Sequence, residues 1–324
     1  MKHFLNLVRY KNLLIIALTM YSVLFFYTIF GSYFVMSFQE KIDFFLLVFS
    51  TVLIAAAGNI INDYFDVKSD RINKPEKLII TRYIKKRWAI VYHWTFNAVA
   101  FLIGCYLSFR YKTFWYVFIH LISINILWFY SLQLKKISIV GNLLISLLTG
   151  IVPVLVGIHI HYHLRLLHEK ISVNVVDLNI DPALQHFLSQ IGDWWLIIFF
   201  FVFAFTLNFA RELIKDAQDI EGDKLIHSRS LAIQIGEKNT RIIAGSILLL
   251  MIVLLIAVFW GLHIQDKSYF IQLFLPLELV LCLLAIAVFF LVRKGAAALK
   301  LSDTMIKISF LLGISLPFWW ILFL

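Results

Sequence analysis

The sequence predicts an all-α, multi-pass membrane protein, with about nine transmembrane helices in one bundle, and three observations predict it. Of 324 residues, 61% are hydrophobic and only 15% are charged, and the mean hydropathy is +0.88, far more apolar than the near-even mixture of a soluble domain. The apolar residues come in runs of about 20, the length a helix needs to cross the hydrocarbon layer. These runs are continuously apolar, without the alternation of a barrel strand whose lumen face is polar, which leaves helices as the structure that satisfies its own backbone in lipid. No Pro-, Gly- or Ser-rich linker divides the chain, so residues 1–324 read as a single membrane-embedded domain.

The predicted spans fall at about 13–34, 42–61, 89–108, 113–132, 138–158, 194–212, 241–262, 269–292 and 304–324. The basic segment MKHFLNLVRYKN leads into a first span too long for a signal-peptide core, with no small-residue cleavage pattern after it, and is expected to stay as an anchor. Lysine and arginine crowd the segments on one side of the bundle, leaving only Lys41, Arg110, Lys112, Arg165, Lys170 and Lys267 for the other. The positive-inside rule then places the amino terminus in the cytosol, and an odd number of spans places the carboxyl terminus outside. The expected location is the bacterial inner membrane. The net charge of +10 is spread over short loops rather than one polar face, so it reports topology and not nucleic-acid binding.

A connection over about 159–193 lies on the outer side. Within it Asp181-Pro182 followed by Leu184, Phe187, Leu188 and Ile191 before Gly192 reads as a capped amphipathic surface helix, with Trp194 and Trp195 at the interface. Its His159, His161, His163 and His168 lack a cysteine or ordered carboxylate to complete a metal set. Cys105 and Cys282 fall in separate apolar runs and read as small packing residues, not as a disulfide.

The chemistry is carried by two repeated clusters. NDYFDVKSD after the second span and KDAQDIEGD after the sixth both follow Asp-x-x-Asp-x-x-x-Asp, giving Asp63, Asp66 and Asp70, then Asp216, Asp219 and Asp223. Offsets of three and seven put each triad on one helical stripe continuing past the membrane boundary. Like charges so placed repel, so a scaffold gains nothing from them unless cations neutralise them, and divalent metal is the obvious neutraliser. Oxygen-only donors suit Mg²⁺, which keeps several waters and joins one or two carboxylates to substrate phosphates. Two facing triads could hold a diphosphate between them. The amides of Asn59 and Asn62 could supplement the first triad or serve as caps. Arg71, Lys74 and Lys77 follow the first cluster, and Arg211, Lys215, Lys224 and Arg229 surround the second, as phosphate-binding candidates or as topological charges. Tyr130, Ser131 and Lys135, followed by Gly141 and Asn142, form a third polar cluster on the same side, with Lys135 the best candidate for a further diphosphate contact.

NDYFDVKSDRINKP resembles the first motif of the UbiA superfamily of intramembrane prenyltransferases, and DIEGD resembles its second. YSLQLKKISIVGN is similar to the family's Tyr-Ser-x-x-Leu-Lys segment, and Arg9 with Asn12 fits its amino-terminal Arg-x-x-Asn. The resemblance, which runs through nearly the whole chain, implies that Asn62, Asp63, Asp66, Asp70, Asp219 and Asp223 hold Mg²⁺ and diphosphate, with Lys135 and Arg71 nearby. The sequence departs from the family in having Lys74-Pro75 for its Arg-Pro and Leu78-Ile79-Ile80-Thr81-Arg82 for its Pro-Leu-x-x-Gly. The expected activity is Mg²⁺-dependent transfer of an isoprenoid group from an allylic diphosphate to a lipid-soluble or aromatic acceptor, with Asp63, Asp66, Asp219 and Asp223 as catalytic carboxylates. Asn59, Asn62, Arg71, Lys74, Tyr130, Lys135, Asn142, Arg211 and Lys215 are the expected substrate contacts. REL-KDAQDIEGD resembles the branch that prenylates geranylgeranylglycerol phosphate, while aromatic ring prenylation for quinone synthesis stays open. A transporter would place ionisable residues near the bilayer midplane rather than at one face, and a membrane CDP-alcohol phosphotransferase would carry an Asp-Gly-x-x-Ala-Arg signature that is absent.

Overall fold

The computed structural model describes residues 2–30, 36–73, 75, 78–170, 193–225, 230–263 and 270–320. In chain order the helices are α1 (Lys2–Leu7), α2 (Tyr10–Phe30), α3 (Phe38–Asn73), α4 (Lys86–Arg110), α5 (Trp115–Leu132), α6 (Ser138–Lys170), α7 (Asp193–Gln218), α8 (Ile220–Leu225), α9 (Leu231–His263), α10 (Phe270–Val292) and α11 (Ala296–Trp320). A single 3-10 turn, Leu134–Lys136, follows α5. Among the described residues nine of these helices are long and apolar enough to cross a membrane, and each covers one of the predicted spans.

The helices outrun the predictions at several ends because polar residues continue them beyond the apolar run. With 36 residues, α3 is about 54 Å long, well past the ~30 Å of hydrocarbon, and its last turns carry the first aspartate cluster. The connection expected over 159–193 is shorter than predicted, because α6 continues to Lys170. The expected surface helix at 181–191 lies outside the described residues. His159 and His163 are buried on this extension of α6, the first 3.0 Å from the Tyr116 hydroxyl and the second 3.5 Å from Glu40.

The chain divides into two compact units. The first comprises Met1–Met20, Phe34–Lys136 and Ile158–Asn174. Here α3, α4 and α5 pack on one another, with Leu7, Val8, Ala56, Ile60, Val67, Ile80 and Ala89 forming one buried cluster and Leu53, Ile54 and Ala100 another. Gly58 lets α3 and α5 approach, since a Cβ there would lie 2.8 Å from Leu127 Cδ1. At the other end of α3 the fully buried Asp43 carboxylate accepts from the Tyr106 hydroxyl at 2.8 Å and the Tyr111 hydroxyl at 3.2 Å, joining the start of α3 to the end of α4. Burial and that carboxylate raise the Tyr111 hydroxyl above its ordinary range, so it stays protonated and donates.

The second unit comprises Tyr21–Tyr33, Ile137–Gly157 and Val175–Leu324. In it α7 packs against α9 and α11, and α10 against α9 and α11. Contacts rely on small residues, as helix association within lipid does. A Cβ on Gly150 of α6 would sit 2.8 Å from the Phe201 ring of α7 and 3.2 Å from the Phe201 carbonyl. Gly236 bends the start of α9 with φ of 85° and ψ of 157°, in the left-handed half of conformational space that glycine enters without a steric cost.

Because Phe201 can neither rotate its carbonyl away nor lose its ring, Gly150→Val is expected to destabilise the second unit by about 1–3 kcal/mol through overpacking. Gly245→Ala, whose new methyl would meet only Leu291 at 3.9 Å, serves as the neutral control. Thermal unfolding of the two variants in detergent checks this; equal melting temperatures would refute the close approach of α6 and α7.

Candidate functional site

The first aspartate cluster is placed by the helical continuation of α3 and by two segments that meet it. Asp63, Asp66 and Asp70 all lie on α3, as predicted, with offsets that keep them on one stripe. The junction between α1 and α2 turns at Arg9, whose φ of 55° is left-handed, a conformation rare outside glycine. That turn brings Arg9 Nη2 to 2.9 Å from Asp63 Oδ1. One helical turn earlier on α3, Asn59 Nδ2 donates to the Val8 carbonyl at 2.9 Å. Asn59 and Asp63, four residues apart, therefore hold the same junction.

Asp66 is held from the opposite end of the unit's sequence. Asn62 Nδ2 donates to Asp66 Oδ2 at 3.0 Å along the helix. Lys135, on the 3-10 turn after α5, donates to Asn62 Oδ1 at 3.3 Å and pairs with Asp66 Oδ1. Arg9 and Lys135 thus compensate two carboxylates of the triad alongside any divalent metal it takes. Lys86 lies 5.6 Å over the Tyr64 ring. Asp70 and Tyr130 are half-buried and Arg71 is exposed, whereas Lys74 lies outside the described residues.

The second cluster departs from its prediction. Its helix α7 stops at Gln218 and α8 begins at Ile220, so Asp219 is the residue between them and the three carboxylates do not share one uninterrupted helix. The Asp219 amide still donates to the Lys215 carbonyl at 2.9 Å. Asp216, on α7, accepts from Asn142 Nδ2 of α6 at 2.7 Å. Asp219 is exposed, and the side chain of Asp223 on α8 lies outside the described residues.

Arg211 and Lys215 were expected as substrate contacts, and each is engaged by carboxylates of the protein. Arg211 Nε donates to Asp303 Oδ1 at 3.0 Å and Lys215 Nζ to Glu212 Oε1 at 2.6 Å, while Lys307 also pairs with Asp303. Arg9, Asp303 and Lys307 were not among the candidate site residues. For the latter two the signal was available, an acid and a base four apart inside an apolar span. For Arg9 only the tertiary pairing with Asp63 assigns a role.

Among the described residues no three His, Cys, Asp or Glu side chains gather into a ready-made metal cage. The donors that are present are carboxylate and amide oxygens, and Mg²⁺ needs only one or two carboxylates when phosphates and waters complete its shell. The first cluster therefore fits Mg²⁺ delivered with a phosphate ligand.

The sequence profile of the UbiA prenyltransferase family matches residues 23–311. A digeranylgeranylglyceryl phosphate synthase of Methanothermobacter thermautotrophicus is 30% identical over 252 residues, covering 77% of this chain and 73% of its own. Further relatives of the same description are matched over 60% and 57% of their own length, so the chain spans less than two thirds of them. Among solved structures, a digeranylgeranylglyceryl phosphate synthase superposes with a TM-score of 0.64 at 21% identity over 98% of both chains. A UbiA homologue of Archaeoglobus fulgidus bound to GPP and Mg²⁺ superposes with a TM-score of 0.53 at 15% identity, covering 96% of this chain and 99% of its own.

If Arg9 and Asn59 anchor the α1–α2 junction to α3, the double substitution Arg9→Ala/Asn59→Ala should loosen residues 2–8 without unfolding the unit. An exposed ion pair contributes at most about 1 kcal/mol and one hydrogen bond about as much. Hydrogen exchange read by mass spectrometry should therefore speed up in α1 while the amides of α4 and α5 keep their protection. Unchanged exchange in α1 would show that the apolar contacts of Leu7 and Val8 suffice.

Proposed function

The chain belongs to the UbiA prenyltransferase family and is a multi-pass membrane prenyltransferase, and we propose that it transfers an isoprenoid group from a polyprenyl diphosphate to the hydroxyl of a lipid glycerophosphate, forming an ether. The observation that carries the reaction class is the carboxylate stripe at the end of α3 with Lys135 and Arg9 laid against it. The acceptor class is supported by the run of digeranylgeranylglyceryl phosphate synthases among the relatives, whose product name describes a glyceryl phosphate bearing two such groups. No feature of this chain favours an aromatic acceptor over it. That residues 1–324 act as one domain is part of the same proposal, supported by the single family match that runs through both units.

Asp63, Asp66 and Asp70 of the first cluster and Asp216, Asp219 and Asp223 of the second would hold Mg²⁺. When bound it withdraws charge from the diphosphate and weakens its bond to the allylic carbon. Lys135 and Arg9 carry donors that can move from carboxylate to phosphate oxygen, so the cations that compensate Asp66 and Asp63 at rest are placed to stabilise the leaving group. The C1–O bond breaks with its electron pair leaving on diphosphate, the acceptor oxygen attacks C1 to form the ether bond, and its proton passes to an oxygen of the departing diphosphate. Apolar surroundings exclude water that would trap the allylic cation as an alcohol. Asn62 positions both Asp66 and Lys135, and Asn142 orients Asp216.

The purified protein should therefore prenylate geranylgeranylglyceryl phosphate with geranylgeranyl diphosphate, lose that activity in EDTA and regain it with Mg²⁺. Asp66→Ala should cut kcat/KM by at least about a hundredfold, roughly 2.7 kcal/mol of transition-state stabilisation, with little change in melting temperature. Turnover that survives chelation would sink the metal reading, and activity on phenolic acceptors alone would sink the ether reading.

The same proposal puts both aspartate clusters at the cytosolic face with the amino terminus on that side, a reading supported by the loop charges. A reporter fused after residue 86 should accordingly read cytosolic and one fused within 171–180 external. The opposite pair of signals would invert the proposed topology.

A further inference from the structure

The second unit contains a group of charges that the carboxylate–magnesium chemistry leaves unexplained. Arg211 of α7 pairs with Asp303 of α11, and each end of that pair extends along its own helix, Arg211 to Glu212 and thence Lys215, Asp303 to Lys307, so that three cations are linked to two acids. The acids and Arg211 lie largely inside and the two lysines outside. The side chains of Glu212 and Asp303 are 14% and 10% exposed, whereas those of Lys215 and Lys307 are 38% and 50% exposed. Buried carboxylates thus act as anchors that fix the stems of longer basic side chains, whose heads are turned toward the accessible surface.

Arg211 and Lys307 have donor capacity to spare. Arg211 uses Nε for Asp303 and, at 3.5 Å, Nη1 for Glu212, and among the described residues no acceptor reaches its Nη2. Lys307 has Asp303 as its partner at one of three ammonium hydrogens. Burying ions in apolar surroundings is costly and is seldom kept for stability alone. An arrangement of net positive charge, with a guanidinium pre-oriented by a carboxylate and two flexible ammonium groups beside it, has the chemistry of a phosphate monoester site.

Resting on the ether-forming reading above, we propose that Arg211, Lys215 and Lys307 bind the phosphate of the glycerophosphate acceptor, separately from the donor's diphosphate, and so set the preference for a phosphorylated lipid acceptor. The position suits this. Lys215 immediately precedes Asp216, and Arg211 lies about one helical turn earlier on α7. An acceptor phosphate seated on this cluster keeps its hydroxyl within reach of the second aspartate motif. Asp303 and Glu212 are positioning residues, acting through the cations they hold.

The test uses the full-length protein in nanodiscs, with geranylgeranylglyceryl phosphate and its phosphate-free glycerol monoether compared as acceptors. The wild type should favour the phosphorylated acceptor in kcat/KM by at least about tenfold, the worth of one charge-assisted contact. Lys307→Gln should collapse that ratio while the KM for the diphosphate donor stays within about twofold, and Lys307→Arg should restore it. Since Lys307→Gln also strips Asp303 of a partner, the paired variant Lys307→Gln/Asp303→Asn gives the same readout with less uncompensated buried charge. Equilibrium binding of the phosphorylated acceptor in EDTA, where metal-held diphosphate cannot contribute, should weaken by a similar factor in both variants. A parallel rise in donor KM would assign the cluster to the diphosphate and overturn the proposal, as would a folded Lys307→Gln protein that keeps the wild-type acceptor ratio. If the wild type itself accepts only phenolic compounds, the ether-forming reading fails, an outcome distinct from an active ether synthase that is indifferent to Lys307.

Discussion

Charge compensation at the ends of apolar helices is the constraint on which the functional parts of this protein depend. A carboxylate carried on a helix built for lipid cannot stay ionised there without a partner. Four buried or half-buried aspartates have partners from a distant point in the sequence: Asp63 has Arg9, Asp66 has Lys135, Asp43 has two tyrosines and Arg110, and Asp303 has Arg211. These pairs fix which turns and helix ends meet α3 and α11, and the same pairs are the chemistry. A cation that neutralises a carboxylate at rest is already within reach of an anionic ligand that displaces it.

Packing leaves these charges little room to move. Within lipid there is no hydrophobic force between helices, so contact rests on close approach of small residues. Gly58 against Leu127 in the first unit, and Gly150 against Phe201 and Gly313 against Phe203 in the second, bring backbones near enough that a single methyl would collide. The side chains on those helices thus inherit fixed positions. Asn142 reaches Asp216 because α6 and α7 meet at such contacts a few turns away.

Much of this was legible in the sequence. Apolar runs located every spanning helix, since the need to satisfy the backbone in lipid leaves one solution. The aspartate spacing put Asp63, Asp66 and Asp70 on one stripe of α3, and the Tyr-Ser-x-x-Leu-Lys segment singled out Lys135, which the structure sets against Asp66. The same reasoning failed at Asp219, where helical spacing was extended through the motif and the helix instead breaks between Gln218 and Ile220. It also ended α6 at about residue 158, because a hydropathy window sees polar His159, His161 and His163 as loop, while Tyr116 and Glu40 supply partners that keep them in a helix to Lys170.

What the sequence by itself determined is what depends on neighbours along the chain: helix existence, membrane residence, and the register of carboxylates on a single helix. Only the tertiary structure decided which cation serves which carboxylate, because those partners lie 54 residues apart for Arg9 and Asp63, 69 for Lys135 and Asp66 and 92 for Arg211 and Asp303. At such separations local periodicity carries no information. The pairing is set by how helices pack, and an ionisable group in apolar surroundings takes whichever opposite charge that packing brings within a hydrogen bond.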